Sequence, residues 1–303
     1  MTSRIPPLLQ PHLTLPPEAS SLVLLTGVLG ASTNWLLLRH LHALLKTKTK
    51  PPPLPPSTSH QPPRKRGGAA AAAREEEGGG HEAEEEEEEE VAVLLVSFLR
   101  DQAFWKENLS RLGIDVDAAA RRGRFGFVDG LSLGRPFFLD TRPGDVVARM
   151  VMEGVEALKK QRKKVVLVVD GLDFVLAATT TTTAGGAGAP NPGGGGGLGT
   201  AMAMKEMLMD LRENTHAAII TLAADDPLIK EQETTLEKQH AWFALSLAHE
   251  ADTVLSLRLL DTGAAKDVSG VVRVTHGGAR IRDHEYLYHV GGDGGVRVFE
   301  RGQ

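Results

Sequence analysis

The chain has 303 residues, a formal net charge of −5 and no cysteine. Disulfides, thiolate nucleophiles and cysteine-ligated zinc are therefore excluded, and a reducing compartment is permitted. Residues 46–90 carry seven Lys/Arg and eleven Glu, a net −4 that leaves about −1 for the rest, so any nucleic acid would be held by a local patch and not by overall charge.

The first twenty residues hold five prolines, at 6, 7, 11, 16 and 17, and predict an extended N-terminal arm over 1–20, able to lie along a neighbour. An apolar strand over 22–26 and a helix over about 32–45 follow. The apolar stretch 22–38 is broken by two glycines and by Ser32-Thr33-Asn34, which argues against a signal segment or a membrane helix. Residues 46–90 are Lys/Thr-, Pro-, Ala- and then Glu-rich, a composition that cannot bury a core and predicts a disordered insertion. Arg64-Lys65-Arg66 has the look of a nuclear address, although a solvated linker charge is the favoured reading.

Val91–Val96 is a β-branched apolar run and predicts a buried strand. Asp101 caps an amphipathic helix through Leu112, closed by Gly113; Asp115 and Asp117 open a short helix that stops at Gly123. A strand over 124–128 ends in Asp129-Gly130, and a helix over 144–160 leads to the strand 165–170. The Thr run and Gly-rich tract over 177–200 predict a second flexible insertion. Further on come a helix over 201–214, a strand over 217–222, a helix near 235–249 and a strand over 253–260. Segments 270–276, 282–290 and 296–300, separated by glycine-rich turns, predict an antiparallel meander. Helices alternating with strands give a mostly parallel sheet with right-handed crossovers. The whole predicts an α/β, RecA-like P-loop-type fold with degenerate Walker motifs and a C-terminal meander, one domain over 21–303 interrupted at 46–90 and 177–200. Without the two insertions roughly 230–240 residues remain, an ordinary single-domain size.

The loop Gly27-Val28-Leu29-Gly30-Ala31-Ser32-Thr33-Asn34 lies between a strand and a helix, where G-x-x-x-x-G-K-[ST] would stand. Gly27 takes the first place, but Ser32, Thr33 and Asn34 replace Gly, Lys and Ser/Thr. The absent ammonium would contact the β- and γ-phosphates and the absent hydroxyl would hold Mg²⁺. Each charge-assisted hydrogen bond forgone is worth roughly 1.5–3 kcal/mol. Asp170 ends an apolar strand as a Walker B acid does, Asp173 could cap the next segment, and Asp129 sits where an acid could position water. Gly27, Gly30, Ser32, Thr33, Asn34 and Asp170 are thus vestigial nucleotide-loop positions, and independent ATP hydrolysis is not expected. His276, His284 and His289 cluster late, but His284 and His289 fall on opposite faces of a strand, so no metal site is expected. No Gly-x-Ser-x-Gly elbow supports serine chemistry. His249-Glu250-x-Asp252 reads as a helix end with a polar turn. Lys266, Arg273, Arg280 and Arg282 are the cations best placed to touch RNA phosphates or an interface, with edge-strand protection an equal alternative.

Three stretches resemble the sixth subunit of the Elongator complex in its filamentous-fungal form. They are the lysine-free loop from Leu25 to Trp35, the segments Val96–Asp101, Phe104-Trp105 and Gly123–Leu131, and Ala251–Arg258 followed by Thr262–Thr275. The last is the most specific. The resemblance implies a RecA-like subunit without ordinary Walker motifs and without catalytic residues of its own. It implies a heterohexameric ring with Elongator subunits four and five, joined to the catalytic Elongator subcomplex, binding transfer RNA and supporting C5 modification of wobble uridine (U34). A cytoplasmic and also nuclear location would follow, with no membrane. No cofactor of its own is implied, and ATP could enter only at ring interfaces. Two rivals stand beside it: a degenerate recombinase paralogue acting as a DNA-repair mediator, and an ATPase whose lysine comes from a neighbour in the ring.

Overall fold

In the computed structural model the described residues are 5–15, 19–46, 90–133, 143–160, 164–185, 198–260, 265–277 and 283–300. In chain order the strands are β1 (Ser21–Gly27), β2 (Val91–Ser97), β3 (Phe125–Asp129), β4 (Lys164–Asp170), β5 (Ala217–Ala223), β6 (Thr253–Arg258), β7 (Gly270–His276), β8 (His284–Val290) and β9 (Val296–Phe299). They form one sheet of nine strands in the order β3-β2-β4-β5-β1-β6-β7-β8-β9. The first six run parallel, and β7, β8 and β9 extend the β6 edge in antiparallel fashion, as expected for the meander.

The helices are α1 (Asn34–Leu45), α2 (Gln102–Arg111), α3 (Val116–Arg121), α4 (Pro143–Lys159), α5 (Leu172–Gly185), α6 (Gly199–Glu213) and α7 (Thr235–Glu250). Central strands read as unbroken apolar runs because both faces are covered. Leu22, Leu24, Leu94, Leu167 and Ile220 pack against α4, α5, α6 and α7. Val23, Leu25, Val93, Val168 and Ile219 pack on the other face, with α1, α2 and α3. Each such aliphatic side chain contributes about 1.5–3 kcal/mol by leaving water.

Local signals set the helix ends. Asp101 accepts from Phe104 N at 2.8 Å and Asp115 from Ala118 N at 2.9 Å, the two caps the sequence indicates. Gly113 (φ +82°) and Gly123 (φ +61°) close those helices in the left-handed region. At α7 a reciprocal capping box joins Thr234 and Glu237. Arg124, buried, donates to Leu44 O at 3.1 Å, Leu45 O at 3.3 Å and Val91 O at 3.3 Å. It fastens the negative end of α1 to the start of β2.

Two expectations need correction. The N-terminal segment is not an extended arm: Pro7–His12 is a 3₁₀ turn whose Leu9, together with Leu13, is buried in this chain's own core. Prolines pre-set the turn's φ, but the Leu9/Leu13 spacing decides where it lies. The region 177–200 is not a flexible loop throughout, since α5 continues through the Thr run to Gly185. Val175 and Leu176 anchor that helix in the core, and Thr179 Oγ1 returns its hydrogen to Val175 O and Leu176 O at 3.0 and 2.9 Å. Residues 186–197, like 47–89, lie outside the described residues.

α1 is buried on nearly every side, and His40 lies within it almost fully enclosed. Neither ring nitrogen has a hydrogen-bond partner among the described residues. Burial lowers its pKa to about 4. Because the folded value lies below the ordinary 6.5, the unfolded chain binds more protons between these limits, and stability is lost as pH falls from about 6.5 to about 4. At full extent the loss is about 3 kcal/mol. Replacing His40 with Leu is expected to flatten this dependence and to raise stability at neutral pH by on the order of 1 kcal/mol. Urea unfolding at several pH values checks both.

Candidate functional site

In a parallel sheet of this kind ligands meet the carboxyl ends of the strands. Here β1 ends at Gly27, where a Cβ would sit 2.7 Å from Ala31 O, so the tight turn into α1 requires glycine. Gly30 takes φ +91° beside the Leu259 side chain. Ser32 Oγ accepts from Asn34 N at 3.2 Å, and Thr33 O accepts from Leu36 N and Leu37 N, starting the helix. Thr33 makes no side-chain cap. The five loop positions singled out in the sequence thus come together as one strand–turn–helix unit.

Asp225 occupies the place an anion would seek. Its Oδ1 accepts from Leu29 N at 2.7 Å, while Ala224 N donates to Gly27 O at 2.7 Å. The loop amide is thereby committed to the chain's own carboxylate, and a phosphate brought alongside would meet a like charge without a lysine to offset it. Nothing in the loop sequence announces this contact, which joins residues 196 positions apart.

Asp170 is closed in a similar way. It is 1% exposed. Its Oδ2 accepts from Ser97 Oγ at 2.9 Å and its Oδ1 from Thr221 Oγ1 at 3.3 Å, and Thr221 Oγ1 in turn accepts from Gly171 N. Burial raises its pKa, against the pull of the Ser97 bond and of Arg100 nearby. Asp173 serves the first-turn amides of Asp173 and Phe174 at the start of α5, and its Oδ2 also accepts from Ala223 N at 3.2 Å; burial raises its pKa too, with these bonds and His240 opposing. His240 Nε2 lies 2.9 Å from Ala223 O, so both groups grip the end of β5. Asp129 spends its carboxylate on Leu131 N, Ser132 N and Ser132 Oγ, closing its own turn.

Large apolar side chains face solvent at these strand ends, among exposed polar residues such as Ser32, Asp101 and Ser132. Leu29 is 87% exposed, and Leu99, Leu131, Phe174 and Leu259 are also exposed, each in the segment following β1, β2, β3, β4 or β6. Five large hydrophobes at one edge are what a docking face displays. Sequence periodicity does not find them, since three stand in loops, Leu131 in a short 3₁₀ turn and Phe174 in the first turn of α5.

The cations are dispersed. Lys266 is exposed in the turn between β6 and β7, and Arg273 donates to Asp283 Oδ2 at 2.7 Å, so its charge is paired. Arg280 and Arg282 lie outside the described residues. His276 and His284 approach a third imidazole, His12, which the sequence reading missed, whereas His289 stands apart from that group. Among the described residues no three His, Asp or Glu side chains have the geometry of a metal site. α7 ends at Glu250, which ion-pairs with Lys205, and Asp252 Oδ2 accepts from Leu22 N at 2.7 Å, bearing out the polar helix end. No helix among the described residues is long and apolar enough to cross a membrane.

The Asp170 geometry has a measurable consequence. Asp170→Asn can keep both hydroxyl contacts and sheds a buried charge. Its folded pKa is raised, so the wild-type penalty is absent in acid and present once the carboxyl ionises. The variant is expected to equal wild type at low pH and to exceed it in alkali, whereas Asp170→Ala, which strands Ser97 and Thr221, costs about 2–3 kcal/mol at low pH and less in alkali, staying below the Asn variant throughout. Urea titrations of the three proteins decide.

No protein-family model matches the chain, and no curated protein matches it. Among solved structures it is similar to a KaiC-like protein from the hyperthermophilic archaeon Pyrococcus horikoshii OT3. The identity is 15%, the match covers 99% of this chain and 98% of that one, and the TM-score is 0.53. A likeness at this identity speaks to fold alone. With the strand order and the strand–loop–helix unit at Gly27–Asn34, it shows that the chain has a RecA-like α/β fold.

Proposed function

We propose that this chain is a non-catalytic, RecA-like scaffold subunit of the Elongator complex. In this reading it joins two related subunits, the fourth and fifth, in a heterohexameric ring that binds transfer RNA and supports C5 modification of wobble uridine. The observation that carries it is the chemistry of the strand ends. The loop amide at Leu29 is taken by Asp225, Asp170 is enclosed by hydroxyls, and four leucines and a phenylalanine stand exposed around them. Such a face is poor for holding a nucleotide and good for holding protein. The resemblance of the Gly27–Asn34, Gly123–Leu131 and Thr262–Thr275 stretches to the Elongator subunit supplies the partner. An ATPase completed by a neighbour's lysine fits less well, because that lysine would meet an enclosed Asp170.

RecA-like domains that meet head to tail make heterologous contacts, which close into rings. A subunit in such a ring contributes surface even where it contributes no chemistry.

Affinity purification of the tagged chain from its host, with mass spectrometry of stoichiometric partners, tests the reading. Recovery of two RecA-like subunits and the large Elongator proteins is expected, and deletion of the chain should abolish C5-modified wobble uridine in digested transfer RNA. Recombinases as the sole partners would overturn the proposal. Leu29→Asp, at a side chain that supports no core, is expected to leave the melting temperature unchanged while costing at least about 2 kcal/mol of assembly, roughly 30-fold in affinity.

A further inference from the structure

His12, His276 and His284 come from three separate elements and meet on one face of the meander. The His12 ring lies 5.4 Å from that of His276 and 5.7 Å from that of His284, centroid to centroid. Tyr286 completes the group: its hydroxyl is 3.5 Å from His12 Nε2, and its ring is parallel to that of His284 at 5.8 Å. Residues 284 and 286 share a strand face by the two-residue alternation of β8. Underneath, Leu9 and Leu13 hold the 3₁₀ turn in the core formed with Tyr286, Tyr288 and Val296. We infer that this cluster forms an acid-sensitive latch, which holds the N-terminal turn on the meander while His12 and His276 are neutral and releases it when they are protonated.

The surroundings support this. Burial, and then the neighbouring His276 and His284, lower the pKa of His12. Burial and His284 lower that of His276, with Asp283 opposing. The docked turn therefore favours neutral rings at a pH where a free imidazole begins to charge. Releasing it takes up protons, and acid drives release.

Among the described residues few charges are available to compensate. From β7, Arg273 is paired with Asp283, the residue before β8; from β8, Glu285 is paired with Arg258 of β6. Asp252, before β6, spends an oxygen on Leu22 N, and Glu300, after β9, acts on Tyr286. Thr253 Oγ1 lies 3.2 Å from His276 Nδ1, while His276 Nε2 is buried with no partner among the described residues. None of these ion pairs includes His12, His276 or His284.

The absence of cysteine makes the test direct. Thr14→Cys, at an exposed position beside the turn, takes a single fluorophore on the full chain, and its anisotropy is followed from pH 8 to pH 5 with far-UV circular dichroism alongside. Anisotropy should fall toward that of a freely rotating label with a midpoint below pH 6.5, while the dichroism stays native. His12→Phe, which keeps a ring without the charge, should abolish the fall. Should that variant misfold, His276→Asn with His284→Asn should shift the midpoint downward. Constant anisotropy in the parent protein overturns the latch. So does an unchanged transition in the variants, and so does a loss of dichroism in step with the anisotropy, which would mark global unfolding through sites such as His40.

Discussion

The organisation of this molecule depends on the burial of its central strands on both faces. Leu22–Leu25, Val93–Val96, Val165–Val169 and Ala217–Ile220 carry no side chain able to hydrogen-bond, because helices cover each face of the sheet and an unpaired polar group there would cost about 1–3 kcal/mol. Polar groups are tolerated only where the strands run out. Thr26, Ser97, Asp170 and Thr221 all appear at or near the carboxyl ends. The same constraint that builds the core therefore decides where any chemistry could reside.

At that edge the polar groups serve one another. Asp170 is satisfied by Ser97 and Thr221, Asp173 by the end of β5, Asp129 by its own turn and Asp225 by the Leu29 amide. Each contact resembles one that a nucleotide-binding site would offer to metal, water or phosphate, yet each is closed within the chain. Five large apolar side chains stand outward at this edge, and such exposed apolar area marks a surface for association.

A second theme is the treatment of imidazoles on the α1 side of the sheet. His40 is shut inside a helix buried all round, and its cost is one of global stability. His12, His276 and His284 lie at the rim, where the group they hold is a short turn and not the whole domain. Depth separates a residue that weakens the fold in acid from residues that can act on one segment. Local opening of a small, peripherally anchored element requires far less free energy than global unfolding.

Much of the fold was legible in the residues alone, because its signals are local. Unbroken runs such as Val165–Val169 read as doubly covered strands, Asp101 and Asp115 read as caps, and the lysine-free loop could be placed between β1 and α1 by its flanks. The Thr run was misread because Thr propensity says loop, whereas the anchoring of Val175 and Leu176 in the core keeps the helix going. The N-terminal segment was misread because its prolines are visible and its docking site, formed by residues more than 250 positions later, is not. Strand order decided the rest. It placed β5 beside β1, which set Asp225 under Leu29, and it set β7 and β8 under the N-terminal turn, which gathered three histidines. Sequence by itself determined which segments are strands and that the loop between β1 and α1 carries no lysine. Only the tertiary structure decided which distant groups satisfy one another, since those contacts follow from the pairing of strands across the sheet and from no spacing along the chain.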